Sequence, residues 1–134
     1  MARKRIDFQC AVITPERKVF DAPVAFVALP AHDGEIGLLP NRAPLVCRLG
    51  VGILRMETRE GRLRHMFLDG GFAQMLDNHL VVLTQQAHKP EEIDAQAEWA
   101  ALEQARQIRA TDDQALAARR RAVHRASTRL KLTR

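Results

Sequence analysis

His32, Asp33 and Glu35 lie close together, and an imidazole beside two carboxylates could build a metal site or an acid/base pair. Either use needs a further ligand or a partner that orients the ring, and neighbouring segments offer no other His or carboxylate. The three residues straddle an Asp-Gly dipeptide. Asp33-Gly34 is a tight-turn signal, because both residue types tolerate positive φ. Turn chemistry with a surface contact is the expected role. Gly70-Gly71 raises the thought of a phosphate cradle, but the Gly spacing, the Lys and the following helix of a P-loop are missing. It reads as a β-corner. Asp94, Glu98 and Glu103 fall in a helical pattern without a catalytic partner and read as a solvated face. His65, His79, His88 and His124 are isolated, and there is no Gly-x-Ser-x-Gly motif. Cys10 and Cys47 lie far apart in strand-like segments, so they read as free thiols of a reducing compartment. No active site, metal or cofactor is expected.

Arg121, Arg125 and Arg129 recur every four residues and so form a stripe on one helix face. Two uses fit such a stripe. It is a solvated basic face, or it meets an acidic surface or a phosphate.

The elements that position these residues follow from periodicity and breakers. Residues 30–45 hold Gly34, Gly37, Pro30, Pro40 and Pro44 around the apolar piece 36–39. Gly37 in that piece suggests a bulge or a close backbone approach. Pro40 and Pro44 exclude a central strand. A rigid, exposed, turning segment is expected, either a bare structural corner or a recognition loop. Ile6, Phe8, Cys10 and Val12 alternate with polar or small residues, the period-2 mark of a half-buried strand. Short strands are expected at 19–20, 24–29, 49–56, 63–68, 73–76 and 80–84, with turns at Glu60-Gly61 and Asp77-Asn78. That density of strands and turns argues for an all-β sandwich or flattened barrel.

After Ala87 the pattern changes. Pro90 suits a first helical turn, and Glu91, Glu92 and Asp94 place negative charge there. A helix is expected over 93–108, with Ile93, Ala97, Ala101, Ala105 and Ile108 on one face. Thr111 with Gln114 forms a capping box for a second helix reaching about residue 132. The expected organisation is a sandwich over 1–88 and an antiparallel two-helix hairpin over 89–134. The hairpin core is Ala-rich and thin, which suits a detachable unit.

The formal charge of +5 is spread along the chain. Residues 1–88 carry eleven basic and nine acidic residues, and 89–134 carry ten and seven. Aromatics are only 4% of the chain, too few for base stacking, which argues against nucleic-acid binding. No apolar run approaches the roughly 20 residues of a membrane span. Residues 1–5 are basic with no apolar stretch behind them, so no secretory signal is read there.

The string Asp33, Gly34, Glu35, Ile36, Gly37, Leu38, Leu39, Pro40, Pro44, Leu45 resembles the signature of the epsilon subunits of rotary F-type ATP synthases, called delta in mitochondria. Thr14-Pro15 with Val19-Phe20, the piece 67–72 and Leu80 to Leu83 resemble further motifs of that family. The resemblance implies a non-catalytic central-stalk subunit that couples ion translocation to ATP synthesis. Its helices would restrain ATP hydrolysis. It implies a peripheral place on the cytoplasmic face of a bacterial inner membrane, without insertion into it. The implied partners are the gamma subunit, the ring of c subunits, and the catalytic head of alpha and beta subunits. Glu35 and Arg42 match positions that meet the polar loops of the ring. Met56, Met66, Phe72 and Met75 are either apolar contacts with gamma, exposed until gamma covers them, or ordinary core residues. Some members bind ATP through a first-helix motif and second-helix arginines. Ile93, Asp94, Arg125 and Arg129 match parts of that set, whereas Ala97 and Glu98 stand where the motif has Arg and Ala. Weak or absent ATP binding is therefore expected. The alternative from a different class is a free-standing sandwich module with a helical tail.

Overall fold

The computed structural model describes residues 6–133; residues 1–5, where no secretory signal was read, and residue 134 lie outside the described residues. Seven strands come first: β1 (Phe8–Ile13), β2 (Lys18–Ala31), β3 (Gly34–Leu38), β4 (Leu45–Thr58), β5 (Leu63–Leu76), β6 (His79–Leu83) and β7 (Ala87–His88). A 3-10 turn at Pro90–Glu92 leads to helices α1 (Ala95–Gln107) and α2 (Asp113–Leu132). This is the sandwich followed by a helical hairpin that the periodicities predict.

The ladder runs β1-β6-β5-β4-β2-β3, and a β1–β2 pairing closes it on itself. β1 runs parallel to β6 and antiparallel to β2. Phe8, Cys10 and Val12 are buried as expected against Val24, Leu80 and Val82 in one core, whereas Ile6 precedes the strand and is exposed. Closure removes unpaired edges from the central strands, and β3, bonded only to β2, stays at the rim.

Several short strands of the sequence reading are in fact one. β2 is continuous through Pro23. Pro23 stands opposite Gln9, whose N–H is bonded to Asn78 O on the far side of β1, so no rung is lost. β4 runs unbroken through Gly50 and Gly52, and β5 through Asp69 and Phe72. Gly70 and Gly71, at φ 70° and 111°, bend β5 without ending it. A Cβ on Gly71 would lie 1.9 Å from Leu83 O, so only glycine lets β6 approach there. In the rim hairpin, His32 and Asp33 form the turn and Gly34 already belongs to β3. Gly37 is the expected close approach, since its Cβ would sit 3.3 Å from the Phe26 ring.

The helices differ in detail from the expectation. Asp94 caps α1, accepting from Gln96 N at 3.0 Å and Ala97 N at 3.4 Å. Asp112, not Thr111, caps α2 by accepting from Ala115 N at 2.7 Å. Ala97, Ala101 and Ile108 are exposed rather than buried between the helices. The buried face is turned to Leu102 and Ala105, and Leu102 packs on Ala126 and Leu130. Leu102 removes more apolar surface from water than any alanine of the expected face, and that decides the rotation.

Candidate functional site

Three surfaces hold the residues singled out above. The first is the rim hairpin and the segment after it. Glu35 and Arg42 are exposed. Glu35 pairs with Arg55 of β4 across the β2 strand. Both side chains of the pair are about half exposed. Asn41, next to Arg42, is held by Asn78 of the β5–β6 turn.

The second surface joins α2 to the sandwich. Arg125 Nε donates to Asp69 Oδ1 at 2.9 Å. Arg129 Nη2 donates to Gln86 Oε1 at 2.8 Å, and its guanidinium lies 4.5 Å from the centre of the Phe67 ring. His88 stacks on Phe67 at 6.0 Å between centroids. His124 Nε2 meets Val51 O at 2.8 Å. Phe67 is fully buried, its ring covered by Arg129 of the hairpin and by His88 of β7. Cation–π contact and apolar burial therefore act together at this junction. The stripe of arginines is thus not a free solvated face. Arg121 is exposed, while Arg125 holds Asp69 of the sandwich and Arg129 is shared between Gln86 of the sandwich and Glu98 of α1.

Glu98 also departs from expectation. It is mostly buried, with Oε2 3.6 Å from Arg129 Nη1, a Coulombic pair longer than a hydrogen bond. Ile93 and Asp94 lie at the start of α1, where Asp94 serves as its cap. Ala97 is exposed and adds no cation. Three of the four residues expected to share a nucleotide are therefore already engaged, Arg125 and Arg129 in the junction and Asp94 in a cap.

The third surface is a bare sheet face. On β5, Phe72, Gln74 and Leu76 point outward while Ala73 and Met75 point into the core. Phe72 stands opposite Leu83 of β6, and Leu83 opposite Ile13 of β1. Gln74 stands between Val46 of β4 and Val81 of β6. Paired residues share a face, so Phe72, Val81, Leu83 and Ile13 make one apolar patch, with Val46 at its edge beyond Gln74 and the exposed Arg48, which stands opposite Phe72. Val46 is 70% exposed, Phe72 58% and Leu83 52%. A solvent-facing antiparallel sheet is normally polar, and contiguous apolar exposure marks a docking surface.

This corrects the choice of apolar contacts. Met56, Met66 and Met75 are 1%, 3% and 1% exposed, in the sandwich core, and only Phe72 of the four lies on a surface. Unbranched Met fills core gaps as readily as it lines interfaces, so composition alone does not separate the two. Sequence reasoning missed Leu83, Val46, Asp69, Phe67 and Asn78. Strand alternation carried a signal for Leu83, whose neighbours Leu80 and Val82 already fill the inner face.

Comparison with known proteins comes to the same place. Residues 7–90 match the sequence family described as ATP synthase, Delta/Epsilon chain, beta-sandwich domain. An ATP synthase epsilon chain from Pelotomaculum thermopropionicum is 44% identical over 66% of this chain and 66% of its own length. One from Carboxydothermus hydrogenoformans is 47% identical over 72% of this chain and 71% of its own length. The aligned stretch thus falls just short of two thirds of the Pelotomaculum relative. Among solved structures, a chain of the Euglena gracilis mitochondrial ATP synthase, OSCP/F1/c-ring, superposes with a TM-score of 0.83 at 25% identity. That match covers 95% of this chain and 81% of that one. No helix of the described residues is long and apolar enough to cross a membrane.

Proposed function

Since the chain belongs to the ATP synthase delta/epsilon family, we propose that it is a non-catalytic rotor subunit of an F-type ATP synthase, working in the central stalk. The single observation that carries this reading is the bare apolar sheet face of Phe72, Leu83 and Val46, which needs a protein partner. The gamma subunit is that partner. It covers the face in the assembled stalk and carries rotation through it. The rim segment with Glu35 and Arg42 meets the polar loops of the c-ring, so the sandwich spans the junction between stalk and ring. Arg42 offers a fixed positive charge with several donors, suited to carbonyls and carboxylates on a loop.

Residues 1–88 act as the docking domain, and 89–134 as a regulatory hairpin. The hairpin rests on the sandwich through Arg125 and Arg129, and it restrains ATP hydrolysis when it leaves that site for the catalytic head of alpha and beta subunits. Its small core, centred on Leu102, Ala126 and Leu130, supports a unit that is easily detached. Nucleotide does not control it, because Arg125 and Arg129 already hold Asp69, Gln86 and Glu98. The subunit lies peripherally on the cytoplasmic face of the membrane, and coupling of ion flow to ATP synthesis passes through its two contacts.

Two measurements test the proposal. The first is a pull-down of the tagged chain from native membranes, with identification of what comes down. The expected set is gamma, the c-ring and the catalytic head, retained through a high-salt wash. The second places Cys at position 35 or 42 and seeks a disulfide to a Cys in the ring loops. A chain recovered without gamma overturns the rotor reading, and an assembled, coupled enzyme that never forms the disulfide overturns the ring contact.

A further inference from the structure

Residues 39–44 include Pro40 and Pro44 and form no regular element. Their fixed point is Asn41. Its N–H donates to Asn78 Oδ1 at 2.6 Å, and Asn78 Nδ2 donates back to Asn41 Oδ1 at 3.0 Å. The two residues are 37 positions apart and belong to different turns. Asn78 is itself anchored, because its carbonyl accepts the N–H of Gln9 in β1 at 2.9 Å. Among the described residues, Asn41, Asp77 and Asn78 are those non-glycines with positive φ, at 65°, 49° and 60°. A Cβ makes that backbone region unfavourable, and a short polar side chain that bonds locally offsets the cost. All three sit at the same end of the sandwich, joined by the one clasp.

From this we infer that the β5–β6 turn is a second part of the surface that meets the ring, with Asn78 as its positioning residue. The inference rests on the reading of Glu35 and Arg42 as ring contacts. The clasp places Asp77 beside the Arg42 segment, and both residues are exposed. Leu39 and Leu76, each two residues from a clasping asparagine, are 61% and 44% exposed. The composite surface therefore carries one cation, one anion and two apolar shoulders. His79 is the other titratable group at the turn, and its Nδ1 is taken up by Asp77 O at 2.9 Å. Such a surface fits a short polar loop that offers an acceptor to Arg42 and a donor or cation to Asp77. Because both turns are fixed before contact, docking orders little further chain.

The test separates the clasp from the backbone it stabilises. Asn78→Gly keeps the positive φ at no steric cost and removes both side-chain bonds. In the isolated full chain, the Asn41 amide should exchange with solvent about tenfold faster, with melting of the sandwich nearly unchanged. Asn78→Asp keeps the acceptor and loses the donor, so it should fall between the two. Asn41→Gly keeps its backbone N–H donor to Asn78 Oδ1 and loses only the side-chain acceptor, so it should also fall between, and the double variant should be no worse than Asn78→Gly. In the assembled enzyme, Cys at position 77 should form a disulfide with a ring-loop Cys, as Cys at position 42 should. Asn78→Gly should lower the yield at 42 severalfold. Unchanged exchange and unchanged yield in Asn78→Gly overturn the positioning role. A disulfide from 42 with none from 77 overturns the extended surface alone. None from either position overturns the ring contact and this inference together.

Discussion

Arg125 on α2 and Asp69 on β5 meet at 2.9 Å across 56 positions of sequence, and their pairing ties the hairpin to the sandwich. Asp69 is the less exposed partner, at 14% against 37%. Arg125→Ala therefore leaves a largely buried carboxylate without its donor, at a cost of about 1.5–3 kcal/mol to docking. The expected outcome is a hairpin that spends more time undocked while the sandwich stays folded. Fluorescence transfer between labels on α2 and on β4 reads it directly. Efficiency unchanged by Arg125→Ala, and by Arg129→Ala as a second variant, would show that apolar packing alone holds the helix.

The isolated subunit should bind ATP weakly or not at all. Arg129 is shared among Gln86, Phe67 and Glu98, and Ala97 brings no charge from α1. A triphosphate would have to displace these contacts and would meet Glu98 as a repelling neighbour. Calorimetric titration decides the matter, and low-micromolar binding contradicts it. Glu98→Gln removes the repulsion but leaves the arginines engaged. It should improve affinity by no more than about tenfold.

Changing Leu83 to Lys should abolish stable association with gamma while leaving the chain folded. Leu83 is 52% exposed, so its side chain is not part of the core. A charge at the centre of an apolar contact is desolvated without a partner, and central anchors carry about 2 kcal/mol or more. The measurement is co-purification of the two subunits, with circular dichroism as the control. Met75→Lys, by contrast, should unfold the sandwich, because Met75 is 1% exposed.

Gly71→Ala should be among the most destabilising single changes in the chain. The new methyl would sit 1.9 Å from Leu83 O, at φ 111°, so both the β5–β6 approach and the backbone are violated. A loss above about 3 kcal/mol is expected from denaturant unfolding. A loss under about 1 kcal/mol would mean that the two strands part at little cost.

The thiols should differ in reactivity. Burial, and then the negative charge of Asp21, pushes the Cys10 thiol up to about 12. Burial and then Asp33 also raise Cys47, which is only half-buried. A thiol held neutral contributes stability below its unfolded value of 9.0, and that contribution is lost as pH rises through about 12. Cys47 should therefore be alkylated first at pH 8, with Cys10 protected until the sandwich opens. Mass spectrometry of the modified chain checks the order, and equal rates would contradict it.

The chain declared its architecture locally. Alternation at Phe8, Cys10 and Val12 announces a half-buried strand, and Asp94 announces a helix start, although Glu91 and Glu92 fall in the separate 3-10 turn before it. These are properties of adjacent residues, set by side-chain period and capping chemistry. The string from Asp33 to Leu45 likewise pointed to its family, because turns and breakers at fixed spacing are local too. What the sequence left open was every contact between distant segments. Whether Met56 or Leu83 faces water depends on which side of a closed ladder each strand presents, and closure is made by β1 meeting β2 and β6. Whether Arg125 and Arg129 face solvent depends on Asp69, Gln86 and Phe67, which come near only when α2 lies on the sandwich. The Asn41–Asn78 clasp joins two turns that share no local pattern. Side-chain type and spacing thus determined the elements, and tertiary packing alone decided which charges are spent inside the molecule and which apolar face remains for a partner.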